Sequence, residues 1–240
     1  MNKIRVKFLA ILLLVWVPLV SAKVTLKVSI PAMSAHTERP ANAILEEFTE
    51  IMAQHMGVDV QIEIVPFVLS MQYVLADKVD IHLPLIQRDF EGEELGFVYS
   101  DVTLYQVNFV LYSRNDCELS LDNLSSYTIE TDKAHQNLLP FTTTASTCIL
   151  CSLKRVQKGI VDGYIFADAS VDPLLKTNLS ILPDLKRTLY KTFNVKIVFP
   201  NAKVAQALNA KVSKAVNEMK QNGELERLVS LVAKPFSQIL

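Results

Sequence analysis

Apolar positions along this chain change their spacing from segment to segment, alternating between the period of two that suits strands and the period near 3.6 that suits helices. Val24 to Ile30 alternates as a strand. Ala41 to Met56 carries Ile44, Phe48, Ile51 and Met52 at helical spacing and meets a natural stop at Gly57. Val58 to Val65 reads as the next strand, Val68 to Ala76 as a short helix, and Ile81 to Ile86 as an apolar run of strand length. Strand, helix, strand, helix, strand is the order that builds a mostly parallel α/β sheet. No segment repeats.

A charged, Gly-containing connector ending in Tyr99-Ser100-Asp101 leads to a second strand-like run, Val107 to Tyr112. Tyr127 to Glu130 is a short strand, and Thr131 to Leu139 begins a helix with Thr131 or Asp132 as its N-cap. Ser152 to Lys158 is helical in composition and closed by Gly159; Ile160 to Asp168 and Thr192 to Phe199 are strands. Ala202 to Lys220 puts Val204, Leu208, Val212, Ala215, Val216 and Met219 on one face, an amphipathic helix of core type. Asn222-Gly223 breaks it before a last helix, Glu224 to Val232.

Length and charge narrow the classes. A chain of 240 residues forms one large domain or two small lobes. Residues 1–22 are expected to be a signal peptide: Lys3, Arg5 and Lys7 precede the apolar run Phe8 to Val20, and Val20-Ser21-Ala22 offers small residues for cleavage. That run has 13 residues, short of the roughly 20 that span a bilayer. The protein is therefore expected in the periplasm. The chain has 24 Lys and Arg against 25 Asp and Glu, and losing the three leader cations leaves 21 against 25. That mild acidity gives no encouragement to nucleic-acid binding, which usually shows a basic face, so no nucleic acid is expected as a partner. The charge balance suits a monomer.

The order of motifs resembles the extracellular solute-binding proteins of the polar amino acid type. Tyr99-Ser100-Asp101-Val102-Thr103-Leu104-Tyr105 is similar to that family's Phe-Ser-Asp-Pro-Tyr segment, with Val102 in place of Pro and the second aromatic one residue late. Phe67, Leu75 and Lys78-Val79-Asp80 follow the wording of its first-lobe helix and strand, with Asp77 where Gly is usual. Leu121-Asp122-Asn123-Leu124 resembles the turn entering the second lobe, and Gly159 through Val161-Asp162-Gly163 echoes the Lys78-Val79-Asp80 pattern. The closing Lys234-Pro235-Phe236 is also of the family's kind. The resemblance covers nearly all of the chain after the leader.

It implies an α/β, two-lobed periplasmic binding protein type II fold with a hinge of two crossing strands. The first lobe would comprise residues 23–108 and 195–240, the second 109–194. It implies capture of a small polar ligand between the lobes, for an ABC importer permease or a membrane sensor, with no cofactor and no metal. Asp80 and Asp162 should then occupy equivalent positions in the two lobes. Open α/β sheets bind ligands at the C-terminal ends of their strands, which selects Phe67, His82 and Arg88 from the first lobe, beside Met33, His36 and Pro84, and Tyr105 from the hinge. The second lobe offers Thr131, Asp132 and His135 at a helix start, and Asp168 after a strand. Each has a plainer alternative: Phe67 and His82 as core residues, Asp132 as a cap, Arg88 as a solvated charge. One departure bears on the ligand. The family's carboxylate-binding Arg has Glu93 near its place here, with Arg88 five residues earlier, so a ligand without an α-carboxylate fits at least as well as an amino acid.

Two other classes compete. An enzyme on the same scaffold, resembling cyclohexadienyl dehydratase, needs a general acid, for which Glu93 or Glu130 is available. A thiol oxidoreductase would rest on Cys148-Ile149-Leu150-Cys151. Such a motif needs a strand before it and a helix at its first Cys, whereas Thr142 to Thr147 reads as polar and turn-like. Cys117, Cys148 and Cys151 allow three disulfide pairings, and the sequence does not choose among them.

Overall fold

The computed structural model describes residues 24–32, 41–88, 95–230 and 233–238. The expected signal peptide, Met33, His36 and Glu93 lie outside the described residues. The first half runs β1 (Thr25–Pro31), α1 (Ala41–Met56), β2 (Asp59–Val65), α2 (Phe67–Leu75), β3 (Ile81–Ile86) and the long β4 (Val98–Arg114). Then follow β5 (Ile129–Asp132), a 3-10 turn at Lys133–Leu138, β6 (Thr144–Ser146), α3 (Ile149–Gln157), β7 (Gly163–Ala167) and α4 (Asp168–Thr177). The chain returns along β8 (Leu185–Phe199) into α5 (Ala202–Gln221) and α6 (Glu224–Val229). Gly57 ends α1 at φ 68°, a left-handed position where a side chain would be strained.

The strands lie in the order β2-β1-β3-β8-β4-β7-β5-β6. β4 and β8 pair antiparallel from Val98 opposite Phe199 to Arg114 opposite Leu185, so both run through the whole molecule. Near one end β3 joins β8, from His82 opposite Val198 to Ile86 opposite Val195. Near the other, β7 joins β4, from Phe109 opposite Ala167 to Ser113 opposite Gly163. Apolar side chains accordingly collect in two large cores, with a small third cluster at Val74, Val79 and Val198. One holds Ile30, Phe48, Met52, Ile81, Leu83, Phe199 and Met219; the other holds Phe109, Tyr112, Ile129, Leu153, Tyr164 and Phe193. Side chains of this size contribute roughly 1.5–3 kcal/mol each when fully buried. Tyr105 packs against both cores, which marks the hinge. The α/β, two-lobed arrangement with two crossing strands is thus present.

Asp80 and Asp162 occupy equivalent positions. Each stands one residue before a strand, β3 or β7, and its carboxylate accepts a backbone N–H from the parallel neighbour: Lys27 at 2.8 Å and Thr128 at 2.7 Å. Their own N–H groups return the bond to Lys27 and Thr128 carbonyls at 2.9 and 3.0 Å.

Several elements differ from the sequence reading. The connector segment Tyr99 to Tyr105 is strand, part of β4, because Val102 and Leu104 alternate inward against exposed Asp101. β8 starts at Leu185 rather than Thr192. Thr131 to Leu139 gives only a 3-10 turn, capped by Asp132. β6 and α4 were not anticipated, and β6 corrects the expectation that no strand precedes Cys148.

Candidate functional site

Both lobes aim their strand ends at the hinge. Ile86, the end of β3, faces Val195, which in turn faces Tyr105 of β4. Ala167, the end of β7, faces Phe109 four residues further along β4. At 3.3 Å per residue those ends are separated by about 13 Å along one strand. The two sets of strand ends therefore flank the Tyr105 to Phe109 stretch of β4.

The second-lobe wall is built at the ends of β5 and β7. Asp132 ends β5; its Oδ1 accepts the Ala134 N–H at 2.9 Å and lies 2.9 Å from His135 Nδ1. Partial burial pushes the Asp132 carboxyl up, but its hydrogen bond and attraction to His135 and the bond from Ala134 outweigh this and hold it below its usual range. The His135 ring stands edge-on to Phe166 at 5.1 Å and tilts over Phe109 at 6.0 Å, and Phe109 meets Phe193 at 5.0 Å. Asp168 follows β7 at the start of α4, and Asn108 Nδ2 donates to its Oδ2 at 3.1 Å. Asn108 also accepts from Thr192 at 3.0 Å and donates to the Lys234 carbonyl at 2.8 Å. Phe109, Phe166 and Phe193 are buried core residues, so the part-exposed groups at these strand ends are Asp132, His135 and Asp168. Carboxylates so placed can accept hydrogen bonds from a polar ligand.

The remaining sequence candidates lie elsewhere or play supporting parts. Thr131 is fully buried and donates to the Ile165 carbonyl at 2.7 Å, tying β5 to β7. His82 is also fully buried near the start of β3, with Nδ1 2.7 Å from Ser70 Oγ and 3.4 Å from Ser29 Oγ. Burial lowers its pKa to about 4, so it is neutral at neutral pH. Phe67, half-buried at the start of α2, packs edge-on to His82 at 6.3 Å within the first lobe rather than with the second-lobe group. Arg88 lies two residues past β3, and its backbone N–H donates to the Tyr99 hydroxyl at 3.3 Å. That hydroxyl donates to the Ile86 carbonyl at 3.2 Å and fixes how the chain leaves the strand. Tyr105 sits at the hinge, where burial raises its phenol pKa above the usual value.

Asn108, which bonds Asp168, was missed. It lies inside β4 beside Phe109, which stands opposite Ala167 at the end of β7, and that position is readable only once the register is known. Glu130, one of the two acids available to an enzyme, is nearly buried and held by Arg155 through two bonds of 2.7 Å. Among the described residues no group of three or more His, Cys, Asp or Glu is placed to hold a metal ion. Cys148 and Cys151 form a disulfide, and Cys117 is free. No helix among the described residues is long and apolar enough to cross a membrane.

No protein-family model matches this chain, and no curated protein matches it in sequence. Solved structures do match. A histidine kinase sensor domain with similarity to periplasmic binding proteins superposes with a TM-score of 0.62 at 12% identity, over 89% of this chain and 99% of that one. The arginine-, lysine- and histidine-binding protein of Geobacillus stearothermophilus gives 0.61 at 16% identity, over 88% and 94%. The L-cystine solute receptor of Neisseria gonorrhoeae, in its unliganded open conformation, gives 0.57 at 17% identity, over 91% and 96%. With the crossing strands, the paired cores and these likenesses, the chain has the two-lobed fold of the type II periplasmic binding proteins.

Proposed function

We propose that this protein is an exported solute-binding protein that closes two lobes on a small polar ligand and presents it to an ABC importer or a membrane sensor. The first lobe comprises residues 23–108 and 195–240, the second residues 109–194, and the leader at residues 1–22 directs the chain to the periplasm. The observation that carries the reading is the convergence of strand ends from both sides on Tyr105 and Phe109, with Asp132, His135 and Asp168 on the second-lobe wall. Closure of such a cleft expels water and strengthens each polar contact. Likeness to importer-associated binding proteins and to a kinase sensor domain supports both destinations. The disulfide fits an oxidising compartment.

Binding without turnover is favoured over a dehydratase-like reaction at Glu130, because that acid is already paired with Arg155; the other acid, Glu93, lies outside the described residues. The test is a thermal-shift screen of the chain from Lys23 onward against amino acids, polyamines, carboxylates, nucleosides and sugars. A ligand at 100 times its dissociation constant stabilises the fold by about 2.7 kcal/mol. A hit recovered unchanged, and weakened at least about tenfold by Asp132→Asn or Asp168→Asn, supports capture in this cleft. A hit that is consumed makes the protein an enzyme; a hit indifferent to both variants places the site elsewhere.

A further inference from the structure

The Cys148-Ile149-Leu150-Cys151 stretch acquires in three dimensions the setting that its sequence lacked. β6 leads into α3 with Cys148 as the N-cap and Cys151 in the first turn. The two sulfurs are bonded, and both residues are exposed. The Cys151 N–H donates to Cys148 Sγ at 3.2 Å. A thiolate formed at Cys148 would therefore sit at the positive end of the helix dipole with a donor already aimed at it.

As a staple the bridge adds little. It joins residues three apart, and a cross-link restrains the unfolded chain less the shorter the loop it closes. The turn is also held by other means. The Cys148 N–H donates to Ser146 Oγ at 3.2 Å, Ser152 Oγ donates to the same oxygen at 2.7 Å, and Arg155, fixed by Glu130, reaches Ser152 Oγ at 3.2 Å. None of these bonds uses a sulfur as donor or acceptor, so opening the bridge breaks none of them directly. Cys117 takes no share, because it follows the β4 end that pairs with the start of β7, whereas Ser146 lies beside Asp132 at the opposite end of the parallel strands.

We infer that Cys148 and Cys151 form a redox-active pair whose disulfide exchanges with dithiols, an activity separate from ligand capture. One thiolate of the dithiol attacks Cys148 Sγ; the sulfur–sulfur bond breaks, and its electron pair leaves on Cys151, which takes a proton. The second thiolate then attacks the dithiol's own sulfur in the mixed disulfide, and the electron pair leaves on Cys148. The dithiol is oxidised by two electrons, the pair is reduced by two, and the remaining proton goes to solvent or to Cys148. A stabilised Cys148 thiolate makes this second departure fast and favours the reduced form, so the oxidised pair acts as an oxidant.

The test equilibrates the whole protein with graded ratios of reduced to oxidised glutathione, alkylates it and weighs it, with circular dichroism in parallel. The expected result is that the pair opens while the spectrum is unchanged, and that dithiothreitol opens it at least about tenfold faster than the disulfide of an unstructured Cys-Ile-Leu-Cys peptide. Cys151→Ser should take up one glutathione on Cys148 from oxidised glutathione, about tenfold faster than Cys148→Ser takes one up on Cys151. A bridge that opens only as the protein unfolds, or that exchanges no faster than the peptide, is a structural cross-link and overturns the inference.

Discussion

Among single residues, His82 has the clearest energetic signature. Its imidazole is sealed between Ser29 and Ser70, and burial keeps its pKa at about 4 against an ordinary 6.5. As pH falls below 6.5 the unfolded chain takes up a proton that the folded chain refuses. Stability is therefore lost between about pH 6.5 and 4 and levels off below, a loss on the order of 3 kcal/mol. Urea denaturation at pH 7 and pH 4.5 should show this drop, and His82→Asn should remove most of it; an unchanged drop in the variant assigns the acid sensitivity to other groups. The sequence placed His82 in an apolar run with two readings open, a cleft contact or a core residue. What it withheld was depth. Alternation shows that a side chain points inward, but the register of β3 on β1 and β8 fixes how far it lies from the strand end.

At the scale of elements, α1, α5 and α6 are tied by one histidine. His55, in the last turn of α1, lies 2.8 Å from a Glu224 oxygen of α6 and 3.2 Å from a Glu218 oxygen of α5. The hydrogen bond to Glu224, with a smaller one to Glu218, outweighs burial and raises the His55 pKa above 6.5. The sign is opposite to that of His82: this contribution is fully present below pH 6.5 and is lost as pH rises through the raised value. A proton NMR titration should put the His55 midpoint above 6.5, and Glu224→Gln should bring it down; an unmoved midpoint would show that the contact does not hold in solution. Helix α1 was legible to the residue because its apolar spacing and its glycine stop agree. Helix α4 was hidden by Pro173 in its interior, which reads against a helix. Strand β6, only three residues with two exposed, has no burial pattern for a sequence to carry.

For the molecule as a whole, the C-terminal segment is a third link between the cores beside β4 and β8. From α6, which packs in the first core, the chain reaches the second: Lys234 accepts from Asn108, the Ser237 carbonyl accepts from Arg187, and the Phe236 ring lies 5.2 Å beneath the Arg187 guanidinium. Arg187 also meets Asp172, whose carboxylate accepts from Tyr112 at 2.7 Å. Ending the chain at residue 232 strips a charged, mostly buried donor of one acceptor and of its aromatic cover. Chemical denaturation should register a loss of about 1–3 kcal/mol; a truncated chain as stable as the whole would show that the segment merely rests on the surface. The motif Lys234-Pro235-Phe236 marked the family resemblance but gave no hint of this crossing, since a contact between cores has no local pattern.

The pairing of β4 with β8 reaches beyond the hinge. Gln106 and Asn194 stand opposite each other on one ladder, their side chains joined at 3.1 Å. Everything between them enters and leaves the second core through that single doorway. Such a module is expected to behave as a cassette: excised there and closed with a short turn, it would retain β5, β6 and β7 and every buried residue of its core except Val195. The first core, rejoined across the same gap, keeps Tyr105 and the C-terminal segment, which lie outside residues 107–193, but both lose the second-core side of their contacts.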